Sequence, residues 1–312
     1  MCDQDAGRRA GDWSDGVGNL LAGAGRRVDL SGMRAFDHWE ALIECADVDV
    51  VAVTMPTPLH AEIAARALVA GKHVICEKPM ALTLADCDRM IAAAERAGRT
   101  LMIAQCIRFW PQYEEIKRRV DAGEIGAVRF ASLRRLASPP AYSSGGWLMD
   151  GKKSGGALFD LHVHDVDFAH VLLGTPARVS ACGGRGPSGT IDHVVATHRY
   201  DDGRYAIVEG GWTFAPPWPF EMGITVVGAR GTLEWSMRRG PEVVFYRDGR
   251  AEQIAVPDET GWSRELDYFI DCVRRGEPME RCTPRSSRTS IALALAEREA
   301  VEQGRVVEFR AG

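Results

Sequence analysis

Residues 50–80 read VVAVTMPTPLHAEIAARALVAGKHVICEKPM, and this stretch decides the fold class. Val48 to Val53 is almost wholly apolar, the composition of a parallel strand covered on both faces. His60 to Ala70 carries a helical pattern stopped by Gly71, and His73 to Cys76 is a second strand. Strand, helix and strand in close succession form a βαβ unit. Working outward, Thr83-Leu84-Ala85-Asp86 resembles a capping box with Asp in place of Glu, opening a helix that ends at Gly98. Thr100 to Ala104 supplies a third strand. The alternation runs from Met33 to Arg108 and predicts an α/β, Rossmann-type parallel sheet.

Beyond Pro111 the pattern changes. One more helix runs to about Val120, followed by long alternating strands at Val128 to Leu136, His193 to Tyr200, Tyr205 to Trp212, Glu221 to Val227, Thr232 to Trp235 and Val243 to Arg247. Asp202-Gly203 and Asp248-Gly249 are turn signals between them. Helices over Trp262 to Arg275 and Pro284 to Gln303 close the chain. The expectation is two domains, 1–108 with the Rossmann-like sheet and 109–312 with an α+β architecture around an open, mainly antiparallel sheet. A length of 312 residues suits that division.

Composition narrows the partners. A net charge of −5 without a basic block argues against nucleic acid. No apolar run approaches the roughly 20 residues of a membrane helix, and Met1 to Asp5 has no signal-peptide character. The eight cysteines are scattered, without a CxxC pair, which fits a reducing cytosol and predicts a cytoplasmic protein.

Glu77-Lys78-Pro79 follows directly on a strand, at the edge where open α/β sheets bind ligands. Proline disfavours the helical conformation at Lys78 and directs its cation off the strand end. Taken alone, the tripeptide also suits a solvated turn. Between Ser154 and Phe168 a glycine pair leads into an apolar segment in which Asp160, His164 and Asp167 fall at i, i+4 and i+7, one polar stripe if helical. Buried polar groups need partners, so the stripe is expected to face water or a polar cleft. An Asp favoured at a helix N-terminus with a modest Asp–His pair is the plainer account. His162 and His164 form an HxH, but on a helix His162 lies well round from Asp160 and His164, and no metal is expected.

These pieces occur in a fixed order: Val50-Val51-Ala52-Val53 before Pro56-Thr57-Pro58-Leu59-His60, Ala70-Gly71-Lys72-His73-Val74 before Glu77-Lys78-Pro79, then Arg108-Phe109-Trp110-Pro111, and Gly155-Gly156 before Asp160 and His164. The order resembles the Gfo/Idh/MocA oxidoreductases, the class that includes glucose-fructose oxidoreductase and inositol dehydrogenase, from about Met33 to Val307. The resemblance implies an oxidoreductase of sugar, inositol or related polyol hydroxyls using NAD, with NADP the less favoured cofactor. It implies Lys78 on cofactor and substrate, His164 as acid/base and Asp160 holding the substrate hydroxyl. Pro56, His60, Glu77, Lys78 and Arg108 are the expected cofactor contacts, and Trp147 and His162 the expected substrate contacts. Tyr142, Trp147 and Trp212 can line a sugar pocket or serve as core. A homo-oligomer through the C-terminal sheet is also implied. Met55-Pro56 stands where relatives often have Thr-Pro, and Cys106 where they often have Asn.

The opening departs from a Rossmann pattern. Gly16-Val17-Gly18 is followed by Leu21 where a third glycine belongs, and Gly23-Ala24-Gly25 by Val28; neither follows a strand. Cys2-Asp3-Gln4-Asp5 resembles the end of a second strand, with Asp3 as the ribose acid. A truncated N-terminus lacking the first strand and glycine-rich loop is expected, better explained by a misassigned start than by a working short enzyme. The alternatives are a non-catalytic ligand sensor or inactive fragment, and an NAD-using glycosidase.

Overall fold

A computed structural model describes residues 1–14 and 27–310. Both glycine pairs, Gly16 to Gly18 and Gly23 to Gly25, lie outside the described residues. The chain begins with the short helices α1 (Ala6–Arg9) and α2 (Trp39–Glu44), and Cys2 makes an isolated parallel bridge with Phe36. Then β1 (Val50–Val53), α3 (His60–Val69), β2 (His73–Glu77), α4 (Leu84–Ala97) and β3 (Leu101–Ala104) follow in alternation. The three strands are parallel in the order β1-β2-β3, with Val53 opposite Cys76 and Glu77 opposite Ala104. The local signals act as expected: Thr83 Oγ1 accepts from the Asp86 N–H at 3.1 Å, and Gly98 ends α4 in the left-handed conformation. Among the described residues β1 is an edge strand of this sheet.

The second sheet is built by β4 (Val128–Leu136) and seven further strands in sequence after α5 (Pro111–Asp121), α6 (Gly151–Ser154) and α7 (Val163–Leu173), with a terminal strand added at its edge. These are β5 (Arg178–Arg185), β6 (Ile191–Arg199), β7 (Tyr205–Gly211), β8 (Glu221–Gly228), β9 (Thr232–Ser236), β10 (Val243–Arg247) and β11 (Arg250–Ile254). Helices α8 (Gly261–Arg275) and α9 (Pro284–Gln303) precede the edge strand β12 (Val307–Glu308). The order is β11-β10-β9-β8-β4-β7-β6-β5-β12, antiparallel throughout except for β4 beside β7. The Asp248-Gly249 signal is the turn between β10 and β11, both residues at positive φ. Strand β5 had no counterpart in the sequence reading: Gly183 and Gly184 interrupt its pattern, and it is stabilised by pairing with β6 and β12 instead of by its own propensity.

The two sheets share apolar surface. Leu158, Phe159, Val163, Ile191, Val194, Ile291 and Ala294 belong to the same buried cluster as Val53, Leu68, Val74 and Met90 of the parallel sheet. Segment 158–173 and helix α9 therefore join the halves, and the carboxyl end of β2 comes to face segment 158–173.

Candidate active site

Lys78 leaves the end of β2 and reaches across this junction to Asp160. Its Nζ donates to the Asp160 carboxylate at 2.9 Å and to the Asp160 backbone carbonyl at 2.6 Å. The pair spans 82 positions of sequence, and both side chains keep 16% exposure, so it is neither solvated nor sealed. Asp160 sits in a π-helical turn, Leu158–His162, that passes into α7. Such a turn widens the helix by one residue and is frequent at functional sites. The expected stripe is divided beyond it, within α7. Asp160 and His164 line a cavity of about 260 Å³ together with Lys78, Glu77, Arg135 and Tyr142, while Asp167 points the other way.

The cavity has an apolar wall in Trp110, Trp262, Phe220, Leu161 and Met222. Its electrostatics follow from dehydration. Burial, then the charges of Lys78 and Arg135, push the His164 imidazole well below its usual range, so it is held neutral. Burial pushes the Glu77 carboxyl up against the opposing effect of Lys78. Tyr142 is pushed up by burial and by Asp160. A neutral imidazole beside an ammonium–carboxylate pair can take a proton from a hydroxyl while the ammonium stabilises the oxygen left behind.

Several expected contacts are placed elsewhere. Arg108 is a correction: its Nε and Nη2 bind both Asp167 oxygens at 2.7 and 2.6 Å, and Nη2 also donates to Ser286. With 8% exposure it braces α7 against α9, and those donors are not free for a cofactor. His162 is a second correction. It is wholly buried on the opposite side of the segment, its Nε2 2.8 Å from Glu297, which also holds His198 Nε2 at 2.7 Å. Both imidazoles hold the Glu297 carboxylate down to about 2 against the cost of burial. A Cβ on Gly210 would lie 2.5 Å from His162 Nδ1, so the strand β7 approaches the ring as closely as glycine permits.

His60 is buried with its ring nitrogens 2.7 and 2.9 Å from the Met55 and Pro79 carbonyls, tying the loops after β1 and β2 together. A neutral ring has one N–H, so it donates to one of the two. Pro56 is half-buried at the start of the turn Thr57–Leu59. Asp3 accepts from the Asp5 N–H through its carboxylate, at 2.8 Å. Trp147 is half-buried in the turn Ser144–Met149 and is not on the cavity wall, and Trp212 is core. Sequence reasoning missed Arg135, Trp110, Trp262 and the Glu297 network. The available signal was Arg134-Arg135 inside a strand, where alternation sends one arginine inward.

Two family models match the chain: "Oxidoreductase family, NAD-binding Rossmann fold" over residues 21–105 and "GFO/IDH/MocA C-terminal domain" over residues 113–234. Among curated proteins the chain is 30% identical to scyllo-inositol 2-dehydrogenase (NAD(+)) of Bacillus subtilis, over 84% of this chain and 78% of that protein. It is 27% identical to D-apiose dehydrogenase of Paraburkholderia graminis, over 99% of this chain and 82% of the other. Among solved structures, aldose-aldose oxidoreductase from Caulobacter crescentus complexed with glycerol superposes with a TM-score of 0.78 at 26% identity, over 88% of this chain and 83% of that one.

Proposed function

Because the chain belongs to the GFO/IDH/MocA family of NAD-dependent oxidoreductases, we propose that it moves hydride between NAD and a secondary hydroxyl of a sugar, inositol or related polyol, using Lys78, Asp160 and His164. The observation that carries the residue assignment is the single cavity into which the three groups converge beside the end of β2. That edge suits the nicotinamide end of a dinucleotide: Lys78 presents donors there, and Glu77 offers a carboxyl that burial biases toward its neutral form. When bound, NAD supplies the hydride acceptor, and the redox chemistry is its own.

The protein's part is proton and charge management. Asp160 accepts from a neighbouring hydroxyl of the substrate and so fixes the position of the reacting one. His164, neutral because it is buried, removes the hydroxyl proton as the C–H bond is broken. Lys78 lies within reach of the same oxygen and stabilises its negative charge, while Asp160 keeps the ammonium oriented. In the reverse direction His164 returns the proton to the new alkoxide. The apolar wall limits water around the reacting carbon. The test is NAD reduction with a panel of cyclitols and aldoses. His164→Ala is expected to lower kcat by a factor of about 100 to 10,000; an unchanged rate refutes the assignment.

The open face of the second sheet is the proposed subunit interface. Phe130 and Tyr205 stack on it at 5.2 Å, and Ser132, Thr197, Ile207 and Val227 are half-buried there. Sedimentation of the full chain and of Tyr205→Asp tests this: the variant is expected to shift toward monomer. Among the described residues no helix is long and apolar enough to cross a membrane. All eight cysteines are free thiols, and we place the enzyme in the reducing cytoplasm.

A further inference from the structure

Arg135 stands on the cavity wall with 3% exposure. Its Nε donates to Asp165 Oδ2 at 2.7 Å, and Nη2 reaches Asp165 Oδ1 at 3.4 Å and the Tyr113 hydroxyl at 3.5 Å. Nη1 has the thioether of Met222, at 3.0 Å, as its acceptor. A thioether is a weak acceptor for a guanidinium N–H, and Nη1 carries two such bonds. Met222 lies on the same wall, so the poorly satisfied edge of the guanidinium adjoins the cavity.

Charge decides what that edge can take. Arg135 is already balanced by Asp165, and Lys78 by Asp160. A carboxylate entering the cavity would bring a negative charge with no countercharge into a dehydrated space, whereas a hydroxyl or ether oxygen satisfies Nη1 without one. Trp110 and Trp262 meet edge to face at 5.5 Å beside Phe220, an apolar surface of the kind that covers the C–H face of a ring.

We propose that Arg135 is a specificity-determining residue, donating from Nη1 to a neutral oxygen of a ring polyol away from the reacting carbon, so that the cavity accepts neutral pyranoses and cyclitols and discriminates against their uronates. This rests on the polyol reading of the same cavity. Removing the arginine alone strands Asp165 in the core, so the test uses Arg135→Met/Asp165→Asn, with thermal melting to show that the variant is folded. Myo-inositol, D-glucose and D-glucuronate are titrated calorimetrically into the full chain in the presence of NADH. The expected result is binding of a neutral ligand about tenfold tighter than glucuronate in the wild type, with that affinity falling about tenfold and the discrimination disappearing in the double variant. Glucuronate binding as tightly as the neutral ligands, or a folded double variant that keeps wild-type affinity, overturns the proposal. Lys78→Met, assayed alongside, separates the two readings. If it retains turnover, the reaction assignment fails while the Arg135 affinity ratio still judges the subsite. If it loses turnover and the Arg135 pair changes nothing, the subsite alone fails.

Discussion

Segment 158–173 carries histidines and aspartates on two faces, and the two faces differ in what their polar groups have been given. On one, Asp160 and His164 border a cavity; the carboxylate shares a partly exposed ammonium, and His164 Nδ1 is buried without a hydrogen-bond partner among the described residues. On the other, Asp165 and Asp167 each hold a buried arginine, and His162 shares Glu297 with His198, all at most 8% exposed. The same residue types make a reactive surface where the imidazole is left without a partner among the described residues, and a strut where each side chain has at least one buried charged partner. Burial alone does not tell the two apart, since His164 and Asp167 are both buried. The partner count does.

The sharpest way to break this comparison is to strip a strut. Asp167→Ala leaves Arg108 charged in the core, and urea unfolding should show a loss of about 3–5 kcal/mol. Any folded fraction should bind the polyol normally, because Asp167 does not reach the cavity; a stability change under 1 kcal/mol would mean that Arg108 relaxes to water. A smaller effect is expected at Glu297. Its carboxyl lies lower in the folded chain, about 2, than an ordinary glutamate, about 4.3, so its contribution is full above the ordinary value and is lost as pH falls from there toward 2. Glu297→Gln should therefore show a flatter acid dependence of the melting midpoint than the wild type. The smallest effect belongs to the reactive face. Because burial and two cations depress His164, the base remains unprotonated below the usual imidazole range. The acid limb of kcat/KM for oxidation should lie below about 6.5. A limb above that value would make another group the base.

Legibility in the sequence followed the range of the interactions. β1, β2 and α4 were readable to within two residues because the apolar runs of the strands and the Thr83 and Gly98 caps of the helix are local signals. Lys78, Asp160 and His164 were placed by motif order, and the fold brings the first two to 2.9 Å. The stripe arithmetic failed at Asp167 because its carboxylate is drawn to Arg108, 59 positions away, and to Ser290 on α9, partners that periodicity does not reveal. His162 was misassigned because its partner lies 135 positions away on α9, beyond any periodicity argument. Arg135 escaped notice because its role depends on which neighbours, Asp165 and Met222, fill its other donors.

The close approach of Gly210 to the His162 ring constrains how related chains can vary. A methyl group at 210 would collide with the imidazole, and a smaller residue at 162 would release Glu297 and His198 from their shared contact. The positions behave as a lock with two keys: histidine at 162 requires glycine at 210, and a chain that gains a side chain at 210 must surrender the histidine in the same step. Among related sequences the two columns should therefore change together, and drift at 297 or 198 should follow the loss of His162.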